Sequence, residues 1–349
     1  MTPPRDTGAD TVFAAARMPA TLPGFVLRFG FAHQVALSVL SVAVFLLEMV
    51  PLEIQRRIVN DAFKGGEYRT ILVLALIYAG VAFGQGLIKL AMNIYRNWLG
   101  EKAVRSLRLT VETLARRAPA DGSGARAVGI ETSLMLAEAE PIGGFVGSFL
   151  SEPLVQGGIL VSIFGYMVYL QPAMALVALL VFIPQIVFVP IMQAAINRRV
   201  ASRIATLREV SGGMVAEVAD TEGTPGRLQR RRIDTVFALD MGIFKLKFSM
   251  NFLMNLLNHI AVAGVLAVGG WFVVNGQTEV GTVVAFLSGL SRVNDPWGGL
   301  VDWFRDLAVT LTKYRLVASA VRDIDAELRT QAGRAFSPPG SVPAPSPSR

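Results

Sequence analysis

Six long apolar segments alternate with polar stretches along the chain. They cover residues 35–52, 71–92, 154–170, 172–194, 252–274 and 280–301. An α-helix rises 1.5 Å per residue, so each segment is long enough to cross a bilayer core of about 30 Å. The pattern therefore predicts an all-α membrane protein with six transmembrane helices.

The polar break between the fifth and sixth segments contains Asn275 and Gly276, a dipeptide that is typical of tight β-hairpins. Strands are usually about 5 to 6 residues long, however, and both flanking apolar runs are several times longer. We therefore expect a short turn between two helices. Gln171 and Pro172 join the third and fourth segments just as closely, so both pairs are predicted to be helical hairpins.

Two long polar stretches, residues 96–141 and 197–247, follow the second and fourth segments. In the first stretch, apolar residues recur at helical spacing between charged ones. These residues are Trp98, Val104, Leu107, Val111 and Leu114. We expect the membrane helices to continue about 25 to 40 Å beyond the bilayer. Glycine- and proline-rich turns at residues 118–124 and 221–226 are expected to reverse them.

The distribution of basic residues predicts the orientation of the helices. Seven Lys and Arg residues lie between Arg96 and Arg126 and ten between Arg198 and Lys247, but none lies in the two tight connections. Cytoplasmic loops carry such an excess of positive charge. The chain is therefore expected to be a multi-pass protein of the plasma (inner) membrane with both termini in the cytoplasm.

Composition agrees with a membrane protein and excludes several classes of site. The chain is 52% hydrophobic and 17% charged, with a mean hydropathy of +0.49. Cysteine is absent, which excludes disulfides, zinc–thiolate centres and cysteine nucleophiles. The net charge of +7 comes from residues that flank the apolar segments, so we expect no nucleic-acid partner.

Three domains are predicted. Residues 1–30 form a cytoplasmic N-terminal segment that resembles either a transit peptide or a short helix along the membrane face, and we favour the helix. Residues 31–328 form the transmembrane domain. Residues 329–349 are rich in proline and serine and are expected to be disordered, because they contain too little apolar surface to form a core.

Local motifs resemble those of ABC exporter transmembrane domains. The fifth and sixth segments resemble the pattern Gly-Gly-aromatic, Gly, Gly-x-x-Val-Ala-Phe with Gly269, Gly270, Trp271, Gly276, Gly281, Val284, Ala285 and Phe286. YRNWLGEKAVRSLR at residues 95–108 is similar to the family's Leu-Gly-Glu followed by Val-Arg-x-Leu-Arg. Residues 47–63 resemble the proline-bearing end of the first span. The resemblance covers about residues 30–328 and implies the six-span type IV, or type I exporter, fold.

The same resemblance implies that ATP chemistry takes place on another domain. In this family an ATP-binding domain normally follows the transmembrane domain, yet the 349 residues contain no G-x-x-x-x-G-K-[ST] phosphate loop. We therefore expect no enzyme activity, catalytic residue, cofactor or metal site in this chain. ATP and magnesium are expected on an ATP-binding subunit that acts in trans.

Docking of that subunit would involve the two cytoplasmic reversals. The first reversal keeps Ser123 and Gly124 of the family pattern, but Gly129 and Ser133 stand where an Arg and an Asp are typical. The second reversal, at Glu222 and Gly223, matches the family by position only. These six residues are the candidate ATPase-docking loops, and Gly129 and Ser133 weaken the case for coupling.

Five polar residues inside the apolar segments form a candidate translocation path, because ionisable groups at bilayer depth are costly and usually functional. Lys89 and Glu152 each lie about 28 Å from the outer helix ends, and Gln85 and Gln156 lie about 22 Å from them. We hypothesise that Lys89 and Glu152 pair, directly or across a dimer. In the alternative, Lys89 extends to the interface and Glu152 only opens a helix before Pro153.

The fifth residue, Glu48, has no predicted basic partner at its depth. It is expected to be protonated, to face a water-filled cavity, or to lie near the outer surface. Asn294, Asp295 and Pro296 predict a helix break in the sixth span. Two G-x-x-x-G patterns, Gly80–Gly84 and Gly143–Gly147, predict close helix packing.

Three functions fit these observations. The first is a transmembrane transporter subunit in a homodimer or heterodimer within the lipid bilayer, driven by a separate ATPase. The second is a non-transporting scaffold or a truncated relic of such a transporter, which the substitutions at Gly129 and Ser133 favour. The third is an ATP-independent channel or carrier along Glu48, Lys89 and Glu152. Substrate identity is not encoded in any motif.

Overall fold

A computed structural model describes residues 19–117, 138–219 and 227–335, and every element in these ranges is an α-helix. The helices are α1 (Leu22–Leu47), α2 (Met49–Phe63), α3 (Tyr68–Arg117), α4 (138–148), α5 (Ser151–Leu170), α6 (Pro172–Ala219), α7 (Arg227–Val274), α8 (Val280–Ser291) and α9 (Asn294–Ala335). The predicted all-α membrane fold is confirmed. The candidate docking residues Ser123, Gly124, Gly129, Ser133, Glu222 and Gly223 lie outside the described ranges.

Five stretches of helix are long and apolar enough to cross a membrane: Leu22–Phe63, Tyr68–Thr113, Ser151–Leu170, Pro172–Leu207 and Gln229–Val274. The predicted sixth span, residues 280–301, is instead divided between α8 and α9. A proline ring clashes with the carbonyl four residues earlier, so Pro296 disfavours a helix that continues through Arg292. The break thus occurs where Asn294 and Pro296 predicted one.

The three longest helices extend well beyond the thickness of a bilayer. α3 has 50 residues, and α6 and α7 have 48 each. At 1.5 Å per residue these lengths are about 72 to 75 Å, compared with a hydrocarbon core of about 30 Å. The described parts of the two polar stretches, residues 96–117, 197–219 and 227–247, are therefore helical continuations of the membrane spans, as predicted. α9 also ends at Ala335, seven residues beyond the domain boundary drawn at residue 328.

Two helix ends share the same glycine cap. Gly276 has φ +67° and Gly65 has φ +73°, in the left-handed region that favours glycine. The residue that follows each glycine donates its amide hydrogen to the carbonyl five residues earlier in the chain. These bonds join Gln277 to Phe272 and Gly66 to Asp61, both at 2.8 Å. These are Schellman caps. The Asn275–Gly276 segment is accordingly a turn between α7 and α8 and not a β-hairpin.

The chain divides into two compact units. One contains residues 1–46, 83–158 and 298–349, and its core includes Phe25, Leu99, Ile142 and Tyr314. α1 has a non-helical residue at Gly30, and Phe25, before this kink, packs on Tyr314 with ring centroids 5.5 Å apart. The Tyr314 hydroxyl donates to the Pro19 carbonyl at 2.6 Å, and burial raises the pKa of its phenol.

Glycines allow close packing of α4 against α3 in this unit. A side chain at Gly143 would collide with the backbone of Val104, and one at Gly147 would collide with the carbonyl of Arg96. Close packing at Gly143–Gly147 is therefore confirmed. A Cβ at Gly80 or Gly84 would meet no heavy atom within 4 Å in the described chain, so the second G-x-x-x-G pattern packs against no described helix.

The other unit contains residues 47–82 and 159–297. Its longest feature is the antiparallel pair α6 and α7. Polar contacts hold the projecting ends of this pair together: Arg203 Nε lies 2.6 Å from Asp240 Oδ1, and Gln229 Nε2 donates to the Val210 carbonyl at 2.8 Å. The pair thus stays associated beyond the apolar part of both helices.

Candidate translocation site

Glu152 forms an ion pair, but its partner is Arg96 and not Lys89. The Arg96 Nη1 group donates to Glu152 Oε2, and Gln156 Nε2 donates to Glu152 Oε1 at 2.8 Å. The side chains of Arg96 and Glu152 are each 23% exposed. Lys89 is exposed. The predicted Lys89–Glu152 pair therefore does not form within this chain, whereas Glu152 and Gln156 do belong to one polar cluster.

Helix packing explains the choice of partner. Gly147, just before α5, lies directly against the backbone carbonyl of Arg96. This contact brings Glu152, on the first turn of α5, level with Arg96 and not with Lys89, which lies about 10 Å earlier along α3. The sequence prediction paired Lys89 with Glu152 because they lie equally far from the outer helix ends, and such a count takes no account of contacts between helices. Gln85 is half-buried, and its place on a translocation path stays a prediction, as does the interfacial extension of Lys89.

Glu48 has a basic partner that the sequence interpretation overlooked. Arg292 Nη1 lies 3.0 Å from Glu48 Oε1, and the two side chains are 29% and 19% exposed. Glu48 stands at the junction of α1 and α2, and Arg292 is the C-cap residue of α8. The expectation that no basic residue in another span reaches the depth of Glu48 is therefore wrong. This ion pair joins the junction between α1 and α2 to the break between α8 and α9.

Contacts between α2 and α8 set this register. Asn60 Oδ1 accepts a hydrogen bond from the Gly281 amide at 2.8 Å, and Asn60 Nδ2 donates to the Glu279 carboxylate. A side chain at Gly281 would collide with the Arg56 carbonyl and with Asn60. Glu48 lies 12 residues before Asn60, and Arg292 lies 11 residues after Gly281. Both distances correspond to about 16 to 18 Å of helix. Both charges therefore reach the same level.

A second ionic cluster lies on α2, between Asn60 and Glu48. Glu53 lies 2.8 Å from Arg56 and 2.7 Å from Arg57, and it accepts a hydrogen bond from the Tyr166 hydroxyl of α5. Lys64 pairs with Glu279 at 2.5 Å. Arg56, Arg57 and Lys64, which follow the first apolar segment, thus each have an acidic partner.

An apolar groove follows α1 in the other unit. Its volume is about 360 Å³. The lining residues are Leu27, Phe31, Gln34, Val35, Ser38, Val39, Val42, Leu150 and Leu154. Gln34 and Ser38 are its polar residues. Gln34 Nε2 donates to the Val146 carbonyl at 2.8 Å, while Oε1 is buried and has no hydrogen-bond partner in the described part of the chain. The walls of the groove are therefore mostly apolar.

Aromatic residues of α1 and α3 form a cluster in the same unit. His33 Nδ1 lies 2.6 Å from the Tyr95 hydroxyl, Trp98 stacks on Tyr95 at 5.8 Å, and the Lys102 ammonium lies 5.1 Å from the centre of the Trp98 ring. Tyr and Trp with nearby basic residues are typical of the membrane–water interface. The lining residues on α1 run from Leu27 to Val42, which corresponds to about 22 Å of helix. The groove is therefore longer than one leaflet of a hydrocarbon core of about 30 Å.

Comparison with known proteins places the chain among membrane transporters. The family model for the ABC transporter transmembrane region matches residues 34–218, about half of the chain. The chain is also similar to the ATP-dependent lipid A-core flippase of Desulfotalea psychrophila, with 24% identity over 232 residues. That alignment covers 64% of this chain and 41% of the flippase, so the chain spans about two-fifths of the length of its relative.

Proposed function

The chain belongs to the ABC transporter transmembrane region family, and from this premise we propose that it is the transmembrane subunit of an exporter-like transporter. The family match over residues 34–218 carries the proposal. In this proposal the subunit forms a dimer with itself or with another transmembrane domain, in the plasma membrane. ATP hydrolysis takes place on a separate ATP-binding subunit.

The long helices support the proposed coupling. α3, α6 and α7 extend about 40 Å beyond the thickness of a bilayer core, which gives rigid levers on the side where positive charge accumulates. Closure of an ATP-binding subunit against residues 118–133 and 220–226 would move these levers. ATP dependence is also a property of the similar flippase.

The proposed substrate is an amphipathic lipid. The similar protein is named a lipid A-core flippase, and the mostly apolar walls of the groove on α1 suit a lipid chain. An ATP-independent channel would need a continuous polar path, whereas the charged residues Glu48 and Glu152 are both occupied in ion pairs.

The first test is purification of the intact protein in mild detergent, followed by mass spectrometry of co-purifying chains and an ATPase assay. We expect a stoichiometric ATP-binding partner that is lost when residues 118–133 are replaced by a Gly-Ser sequence. Tyr169→Ser, at the exposed end of α5, is the control and should retain the partner. A homodimer without ATPase activity would contradict the proposal and favour a scaffold.

The second test is lipid transfer by the reconstituted complex. Val39→Trp should obstruct the groove and slow ATP-dependent movement of a fluorescent lipid several-fold, because Val39 lines the groove and is 64% exposed. Leu76→Trp, at an equally exposed apolar position of α3, should leave the rate unchanged. Equal rates in both variants would refute the groove as a lipid route, whatever the outcome of the partner test.

A further inference from the structure

Three carboxamide side chains line one small cavity in the unit that contains α6, α7 and α8. Gln185 belongs to α6, Asn258 to α7 and Asn294 to the start of α9. The remaining walls are apolar, with Phe182 and Leu290 among them. None of these three carboxamides makes a hydrogen bond with any residue that the structure describes. Gln185 is only 3% exposed and its Oε1 atom is buried without such a partner, whereas Asn258 and Asn294 are half-buried.

The cavity lies within the hydrocarbon depth of the membrane. Gln185 is 13 residues from the start of α6 and Asn258 is 16 residues from the end of α7, which is about 20 to 24 Å from the turns that join these helices to their neighbours. In lipid, a polar group without a hydrogen bond costs several kcal/mol, and no bulk water is available to satisfy it. The unsatisfied Oε1 atom of Gln185, next to two further carboxamides, therefore indicates a bound polar ligand.

Size and charge restrict that ligand. The volume is about 10 Å³, close to the space that one water molecule occupies. A buried water typically makes about three hydrogen bonds, and the cavity offers three carboxamides. All three are neutral, so they provide no charge to compensate a cation in a medium of low dielectric constant.

We propose that this cavity binds one ordered water molecule, shared by the carboxamides of Gln185, Asn258 and Asn294. The water links α6 and α7 to the point where the chain resumes as α9 after the break at Arg292 and Val293. It satisfies the polar groups that the break brings into the membrane. The site depends on membrane insertion and not on transport or on an ATPase partner.

The sign of one stability change tests this site. Gln185→Met keeps the length of the side chain and removes its carboxamide. If the water is present, the substitution removes one of its partners, and the equilibrium constant for unfolding of the full chain in micelles should rise about tenfold. If it is absent, the variant removes an unsatisfied buried amide and should be more stable than the wild type.

Gln193→Met is the matched control. Gln193 lies on the same helix, is half-buried and bonds to Asn197 at 3.2 Å, outside the cavity. The Gln193→Met substitution should change the equilibrium constant for unfolding much less than Gln185→Met does. Stabilisation by Gln185→Met, or by sodium chloride but not choline chloride in the wild type, would overturn the proposal.

A direct measurement does not depend on how the variants fold. Electron cryomicroscopy of the wild-type protein in nanodiscs, at a resolution that shows ordered waters, should reveal one density peak within hydrogen-bond distance of Gln185 Oε1 and of an Asn258 or Asn294 carboxamide. A map of that quality without such a peak would refute the site.

Discussion

Charged residues inside the membrane find partners that follow from packing rather than from depth alone. The Glu48–Arg292 pair connects two helix interruptions, and the Arg96–Glu152 pair depends on the contact between Gly147 and α3. The sequence indicated Glu48, Glu152 and Gln156 as unusual positions because charge and amide groups are rare in apolar segments. It did not identify their partners, because residue counts along each helix do not include the contacts between helices that determine which side chains meet.

The Glu48–Arg292 pair should contribute to stability through the cost of an unpaired charge. Arg292→Met leaves the Glu48 carboxylate without its partner in a low-dielectric environment, and we expect a loss of about 3 kcal/mol in the free energy of unfolding. Glu48→Leu combined with Arg292→Met should recover part of this loss, since no charge remains uncompensated. Chemical unfolding in mixed micelles, followed by tryptophan fluorescence, measures both changes.

Arg305→Met is the control for that experiment. Arg305 pairs with Asp302 on the surface of α9, where the two side chains are 37% and 60% exposed. Exposed pairs contribute less than about 1 kcal/mol, so this variant should unfold nearly as the wild type does. Equal losses from Arg292→Met and Arg305→Met would show that Glu48 is already solvated or protonated.

At the scale of elements, helix types and approximate helix ends followed from the length and spacing of apolar residues. The turn at Asn275–Gly276 followed as well, since the flanking runs are too long for strands. The division of the sixth span after Ser291 was harder to predict, because its apolar pattern continues through Arg292 as if one helix were present. Pro296 supplied the local signal, and its effect extends four residues back to the carbonyl of Arg292.

Close approach of α2 and α8 depends on Gly281. A Cβ there would lie against the Arg56 carbonyl and Asn60, so Gly281→Ala should force the helices apart and destabilise the protein by about 1 to 3 kcal/mol. Gly270→Ala, in the same sequence motif, meets no heavy atom within 4 Å and should be tolerated. Thermal unfolding monitored by size exclusion compares the two variants. Similar melting temperatures would indicate that α8 shifts to accommodate the added methyl group.

At the scale of the whole molecule, the chain combines apolar spans with basic helical projections, and this asymmetry predicts its orientation. The ten basic residues between Arg198 and Lys247 lie on α6 and α7. The connection between α2 and α3 is a local exception to the rule, because it contains Lys64 and is followed by Arg69. Lys64 is paired with Glu279, so its charge is partly neutralised, and we expect this connection to be extracellular.

The absence of cysteine from the sequence makes this orientation directly measurable, because each introduced thiol is then unique. Glu67→Cys and Asn275→Cys occupy two exposed turns on the predicted outer side, and Arg230→Cys occupies an exposed position on the predicted cytoplasmic side. A membrane-impermeant maleimide should label the first two in intact cells and Arg230→Cys only after permeabilisation. Labelling of Asn275→Cys without Glu67→Cys would mean that the first two spans do not form an outer hairpin. Labelling of Arg230→Cys alone in intact cells would reverse the orientation and remove the docking surfaces from the compartment that contains ATP.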